Sequence, residues 1–116
     1  MAKAINSDIC IQGSTLIVGI KFPPIDDIYS LTTLLNAGNL TIKYYIINTE
    51  QKYTVSTLYT IDNVTDNNSR AFTVSNTDNL TPGVLMVETI AQVPAHNGLP
   101  ARTEIARCST GIAIIK

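Results

Sequence analysis

Apolar residues along this chain recur at every second position, in short runs separated by clusters of turn formers, which is the pattern of half-buried β-strands. Residues 7–11 read as a short first strand. After Gln12-Gly13, positions Leu16, Val18, Ile20 and Phe22 share one face of a strand over 14–22. The intervening turn is short, so these two strands form a hairpin or a bent pair across a sheet edge. Pro23-Pro24 ends the second strand, because proline cannot donate to a ladder. Ile28, Leu31, Leu34 and Leu35 then follow a spacing of three, three and one. That predicts one or two helical turns near 28–36, stopped by Asn36 to Asn39 with a glycine, or an irregular crossover between sheets.

The remainder is β again. Residues 40–48 (LTIKYYIIN) are apolar at successive positions in their later part, which predicts cover on both faces there. A polar connection over 49–52 leads to a second alternating run over 53–61, and the two make a hairpin with tyrosines as cross-strand partners. Residues 62–70 (DNVTDNNSR) are turn formers apart from Val64 and predict an exposed loop. A short strand over 71–75 follows, with Phe72 and Val74 inward, then a loop over 76–83. The longest predicted strand, 84–93, places Leu85, Val87, Ala91 and Val93 on one side. Val84, Met86, Glu88, Ile90 and Gln92 take the other. Pro94 closes it. A loop over 95–100, a strand over 101–108, a Ser109-Thr110-Gly111 turn and a terminal strand over 112–115 complete the chain. Seven or eight antiparallel strands with turns every eight to twelve residues predict an all-β sandwich or small barrel, and an immunoglobulin-like β-sandwich fits the length. The antibody-type Cys-Trp-Cys core does not apply, since Trp is absent.

At 116 residues the chain fits one domain, read as a loose arm over 1–6 and a sandwich over 7–116. A domain of this size buries about two-thirds of its unfolded surface, so it needs neither metal nor disulfide to fold. Charged residues are only 15% of the chain, against about 25% in ordinary domains. Abundant Asn and Thr supply neutral polar surface, and burial against partners accounts for a further share, because interface cores are poor in charge. Net charge is −1 and the eight Lys and Arg are scattered, which argues against a nucleic-acid partner. The N-terminal segment has no apolar signal-type run, and no apolar run approaches a membrane span. The expectation is a soluble protein made in a cytoplasm, with no membrane partner. In that setting the Asn-X-Ser/Thr triplets at Asn39, Asn63, Asn67 and Asn79 carry no glycosylation signal. A reducing compartment also makes Cys10 and Cys108 small buried hydrophobes, spatial neighbours only if the first and last strands pair.

Candidate chemistry is sparse. His96 is the single histidine and lies in a proline-flanked loop with no GxSxG elbow elsewhere, so it reads as a solvated loop residue. Asp62 and Asp66 with Asn63, Asn67 and Asn68 offer oxygen ligands, but the DxDxDG order of a calcium loop is missing. Asp26-Asp27 are adjacent on an extended chain and point apart. Glu88 and Glu104 fall on neighbouring predicted strands, where paired carboxylates are a glycosidase device. The plainer reading is exposed charge on a sheet face, offset by Arg102 and Arg107. Tyr29, Tyr44, Tyr45, Tyr53 and Tyr59 fit strand packing better than a sugar-stacking platform. No catalytic, metal or cofactor-binding residue is assigned, and the chain reads as non-enzymatic.

Four segments resemble the small immunoglobulin-like domains of tailed-bacteriophage virion proteins, of the baseplate-upper-protein, capsid-decoration and head-fibre types. They are Ile11-Gln12-Gly13 leading into 16–22, Leu80-Thr81-Pro82-Gly83-Val84-Leu85, Pro94 with 97–104 (NGLPARTE), and Thr110-Gly111-Ile112. The chain departs from that pattern where Ala95 follows Pro94 and Asn97-Gly98 replaces Asp-Gly. The resemblance implies a virion structural protein, an auxiliary capsid or fibre-type component. It would be made in a bacterial host, form dimers or trimers, and dock on the major capsid protein or another virion protein. The alternatives are a baseplate or tail accessory, or an adhesin module binding carbohydrate or peptide through loops 62–70 and 95–102.

Overall fold

In a computed structural model, residues 9–60 and 68–116 are described. Strands β1 (Ile9–Ile11), β2 (Leu16–Lys21), β3 (Leu40–Ile46), β4 (Tyr53–Thr54), β5 (Ser69–Val74), β6 (Gly83–Val93) and β7 (Arg102–Ile115) accompany one helix, α1 (Leu31–Asn36). The strands form a five-stranded sheet in the order β1-β7-β6-β3-β4 and a two-stranded sheet of β2 and β5. The protein is an all-β sandwich. The predicted arm over 1–6 and most of the predicted 62–70 loop fall outside the described residues. Ser69 and Arg70, assigned to that loop, belong to β5.

The inward faces follow the alternation. Val18 and Phe22 of the second strand region, Phe72 and Val74 of β5, and Leu85, Val87, Ala91 and Val93 of β6 are all buried. One core cluster joins Val18, Ile42, Tyr44, Phe72, Leu85 and Ile112. A second places Leu31 and Leu34 of α1 against Phe22, Ala91 and Val93. The helix starts at Ser30, whose hydroxyl accepts from the Thr33 amide at 3.1 Å. It stops where Gly38 takes φ 73°, with the Asn39 and Gly38 amides donating to the Leu34 and Leu35 carbonyls. Ile28 is not part of it. It sits 50% exposed beyond a tight turn at Asp26-Asp27, both at positive φ.

Four details refine the pattern reading. First, β1 and β2 make a bent pair, not a hairpin. β1 joins the large sheet beside β7, in parallel, with Ile9 opposite Ala113 and Ile11 opposite Ile115. β2 joins the small sheet beside β5. Second, the run over 53–61 is not one strand. Tyr53 and Thr54 pair with β3, whereas Tyr59 bridges Ala71 in the other sheet. The chain crosses between sheets there, and Val55 and Leu58 keep contact with the core on the way. Third, Ser109-Thr110-Gly111 is a bulge within β7, not a turn. Gly111 at φ 78° permits it, and the Thr110 hydroxyl donates to the Leu85 carbonyl at 2.8 Å in place of the interrupted ladder. Fourth, the connection after β3 folds back over the outer face, so Lys52 lies over the Tyr45 ring at 5.2 Å. Tyr44, Tyr45 and Ile46 are all buried, as the uninterrupted apolar run predicted.

Candidate functional site

The segments that carried the family resemblance prove to be backbone devices. At Gln12-Gly13 the chain passes from one sheet to the other. The Gly13 amide donates to the Thr77 hydroxyl at 2.9 Å, and that hydroxyl donates to the Ser14 carbonyl at 2.6 Å. Thr77 is fully buried. The Gln12 amide side chain donates to the Leu80 carbonyl at 2.7 Å, so the turn before β6 is bolted to the same crossing. Asn97-Gly98 closes a two-residue hairpin, both residues at positive φ, with His96 and Leu99 exchanging backbone hydrogen bonds.

Beside that hairpin the loops assemble an ionic cluster. Asp26 receives Arg102 Nη2 at 2.7 Å and His96 Nε2 at 3.0 Å on one carboxylate oxygen. Arg102 Nε also donates to Glu104 at 2.8 Å. The His96 Nδ1 lies 2.9 Å from the Pro94 carbonyl, and Tyr29 packs edge-on to the imidazole at 5.1 Å. The hydrogen bond from Arg102 is the main reason the Asp26 carboxyl titrates below its usual range. His96 is therefore not a solvated loop residue. Its side chain is 11% exposed and it ties the loop after β6 to the loop after β2. Its side-chain partners Asp26 and Tyr29 are distant in sequence, where no local signal could reveal them.

Glu88 corrects another expectation. It is 3% exposed, although it points to the outer face of the sheet. Lys52 Nζ at 2.9 Å and Arg107 Nε at 2.7 Å both donate to its Oε1. These long side chains lie over it and keep its carboxyl below the ordinary range, with Lys52 the larger contributor. Glu88 stands opposite Arg107, and Glu104 stands opposite Ala91. Because 104 and 107 differ by an odd number, the two glutamates face opposite sides of the sheet and cannot act as a catalytic pair. Tyr29, Tyr44, Tyr45 and Tyr53 are likewise engaged through their rings, whereas Tyr59 is 51% exposed. Tyr44 stacks on Tyr53 and Phe72 and donates to Asn76 at 2.6 Å; burial raises its phenol pKa. Cys10 and Cys108 do not meet, because Cys10 sits opposite Ile114, six residues along β7. Asp62 and Asp66 lie outside the described residues.

Two surfaces stand out among the described residues. The first is apolar. Ile9 and Ile11 are 54% and 57% exposed on the outer face of β1, across from Ala113 and Ile115 of β7. Val84 continues the row on β6, opposite Ala113. The second is a groove of about 550 Å³ between the sheets, walled by Ile20 and Phe22 on one side and Val87, Ala106 and Cys108 on the other. The small sheet is too narrow to cover β7, so residues 103–109 are exposed on both faces.

No protein-family model matches the chain, and no curated protein matches it.

Proposed function

We propose that this chain is a non-enzymatic structural subunit of a tailed-phage particle, an auxiliary capsid or fibre-type component that self-associates and docks on the shell. The observation that carries the assembly role is the apolar row of Ile9, Ile11, Ala113, Ile115 and Val84 on the outer face of the large sheet. A contiguous exposed apolar patch costs solubility unless a partner covers it. A second copy of the chain is the occupant this reading commits to. The titratable groups that come together are consumed in holding loops and sheet faces, as the Asp26 and Glu88 clusters show. The phage assignment rests on the resemblance of the four segments, whose shared structural task is to set crossings, turns and a bulge in a sandwich.

Light scattering on the wild-type chain and on Ile11→Glu tests the self-association. A dimer or trimer that falls to monomer in the variant supports the reading. Binding to particles assembled without this protein tests the docking. A strict monomer that does not bind such particles overturns it.

A second reading, a carbohydrate- or peptide-binding module, is favoured by a shallow depression of about 370 Å³, where Asn39, Gln92, Arg102 and Thr103 line the wall together with Val93 and Pro94. Glycan-array binding lost in Arg102→Ala would support it, and an array without hits would remove it.

A further inference from the structure

We propose that the outer face of the large sheet is a docking surface for an acidic segment of another protein. The cations that form it are scattered in sequence and meet only through strand register. Lys43 of β3 stands opposite Glu88 of β6, and Glu88 stands opposite Arg107 of β7. Residues directly opposite one another in a sheet point to the same side, so the three make one row across it. The connection after β3 brings Lys52 over the same row, with its Nζ 2.9 Å from Glu88 Oε1. Three of the eight Lys and Arg in the chain thus surround a single carboxylate.

That carboxylate does not balance them. Lys52 and Arg107 both donate to Glu88 Oε1, so one negative charge answers two cations. Lys43 faces Glu88 without an ion pair of its own among the described residues. Glu50, exposed in the connection that carries Lys52, likewise makes no ion pair to the three cations among the described residues. The adjoining rows add no negative charge: Tyr45, Met86 and Ser109 form one, and Thr41, Ile90 and Ile105 the other. The surface is therefore positive in a chain whose net charge is −1. Its small extent decides the class of partner. Nucleic acid is held by many cations aligned on a repeating phosphate backbone. Here Lys43 and Arg107 lie two strands apart, about 10 Å. Ile105, 56% exposed, stands in the next row. Carboxylates at that spacing with an apolar side chain beside them are what a polypeptide offers, and complementary charge of this kind fixes the register of docking.

The probe is poly-L-glutamate, followed through the amide chemical shifts of the full chain. Shifts should cluster at 41–45, 86–90 and 105–109. Binding should weaken as salt is added, because exposed charges are screened beyond about 8 Å at physiological ionic strength. Lys43→Gln should weaken it about threefold, the worth of one exposed ion pair. Lys21→Gln is the control: it removes the same charge from β2, in the other sheet, and should leave binding unchanged. Neither variant alters Ile9 or Ile11, so light scattering reads self-association separately from acidic binding. Absence of shifts on this face, or equal weakening by the two variants, would overturn the proposal. Double-stranded DNA binding the same face more tightly than poly-L-glutamate would also overturn it, by making phosphate the ligand.

Discussion

Replacing Thr77 by valine should weaken the fold at the point where the chain changes sheets. Valine keeps the shape of threonine and removes only the hydroxyl. That hydroxyl accepts from the Gly13 amide and donates to the Ser14 carbonyl, and the side chain has no exposure to water. Each polar group left without a partner costs about 1–3 kcal/mol when buried. Gly13 and Ser14 are themselves exposed residues, so water recovers part of the loss. The expected penalty is therefore at the lower end for two groups, about 2 kcal/mol. For a chain of this size that corresponds to about 8 °C in Tm. Urea unfolding followed by circular dichroism measures it; the midpoint should fall with the slope unchanged. Thr77→Ser is the control, since it keeps the hydroxyl and loses one methyl, at about 1 kcal/mol. A valine variant as stable as wild type, or more stable than the serine variant, would show that the hydroxyl does not hold the crossing.

Three further outcomes follow from single contacts. Gly83→Ala should cost about 1–3 kcal/mol in the same assay, because φ is 154° and a Cβ would stand 2.8 Å from Ile46 Cγ2. Asp26→Asn should flatten the acid limb of a Tm-against-pH curve. The Asp26 carboxyl titrates below its unfolded value, so its contribution is full above the ordinary carboxylate range, near pH 4, and is lost as pH falls through the lower folded value. An unchanged acid limb would count against the Arg102 and His96 contacts. Glu88→Gln should lower stability by about 1 kcal/mol and remove a second, similar acid-sensitive contribution. Lys52 and Arg107 both reach solvent, so neither cation is trapped without a partner.

Much of the fold is legible in local pattern. The inward faces of β2, β5 and β6 follow from a two-residue period, because a strand buries alternate side chains whatever it pairs with. The helix stop at Gly38 is written in the residues themselves, since it depends on a left-handed position within the segment. The Asn97-Gly98 hairpin is locally encoded in the same way, because an Asn-Gly pair accepts the two positive φ values of a two-residue turn. The cover over Tyr45 was legible too, as an apolar run too long for one face.

What only the tertiary structure decided is which segments meet. Periodicity gives the face of a strand but not its partner or direction. The parallel pairing of β1 with β7 was therefore invisible, as was the division of residues 53–60 between two sheets. Gly111 marks a positive φ equally well in a turn or a bulge, and the choice depends on whether β6 runs on beside it. The same holds for chemistry. His96, Asp26 and Arg102 are ordinary loop residues in sequence, and become one ionic cluster only because two distant tight turns pack at one end of the sandwich. The exposed isoleucines of β1 also gain meaning only in place: alone they are alternation, and beside Ala113 and Ile115 they are a surface.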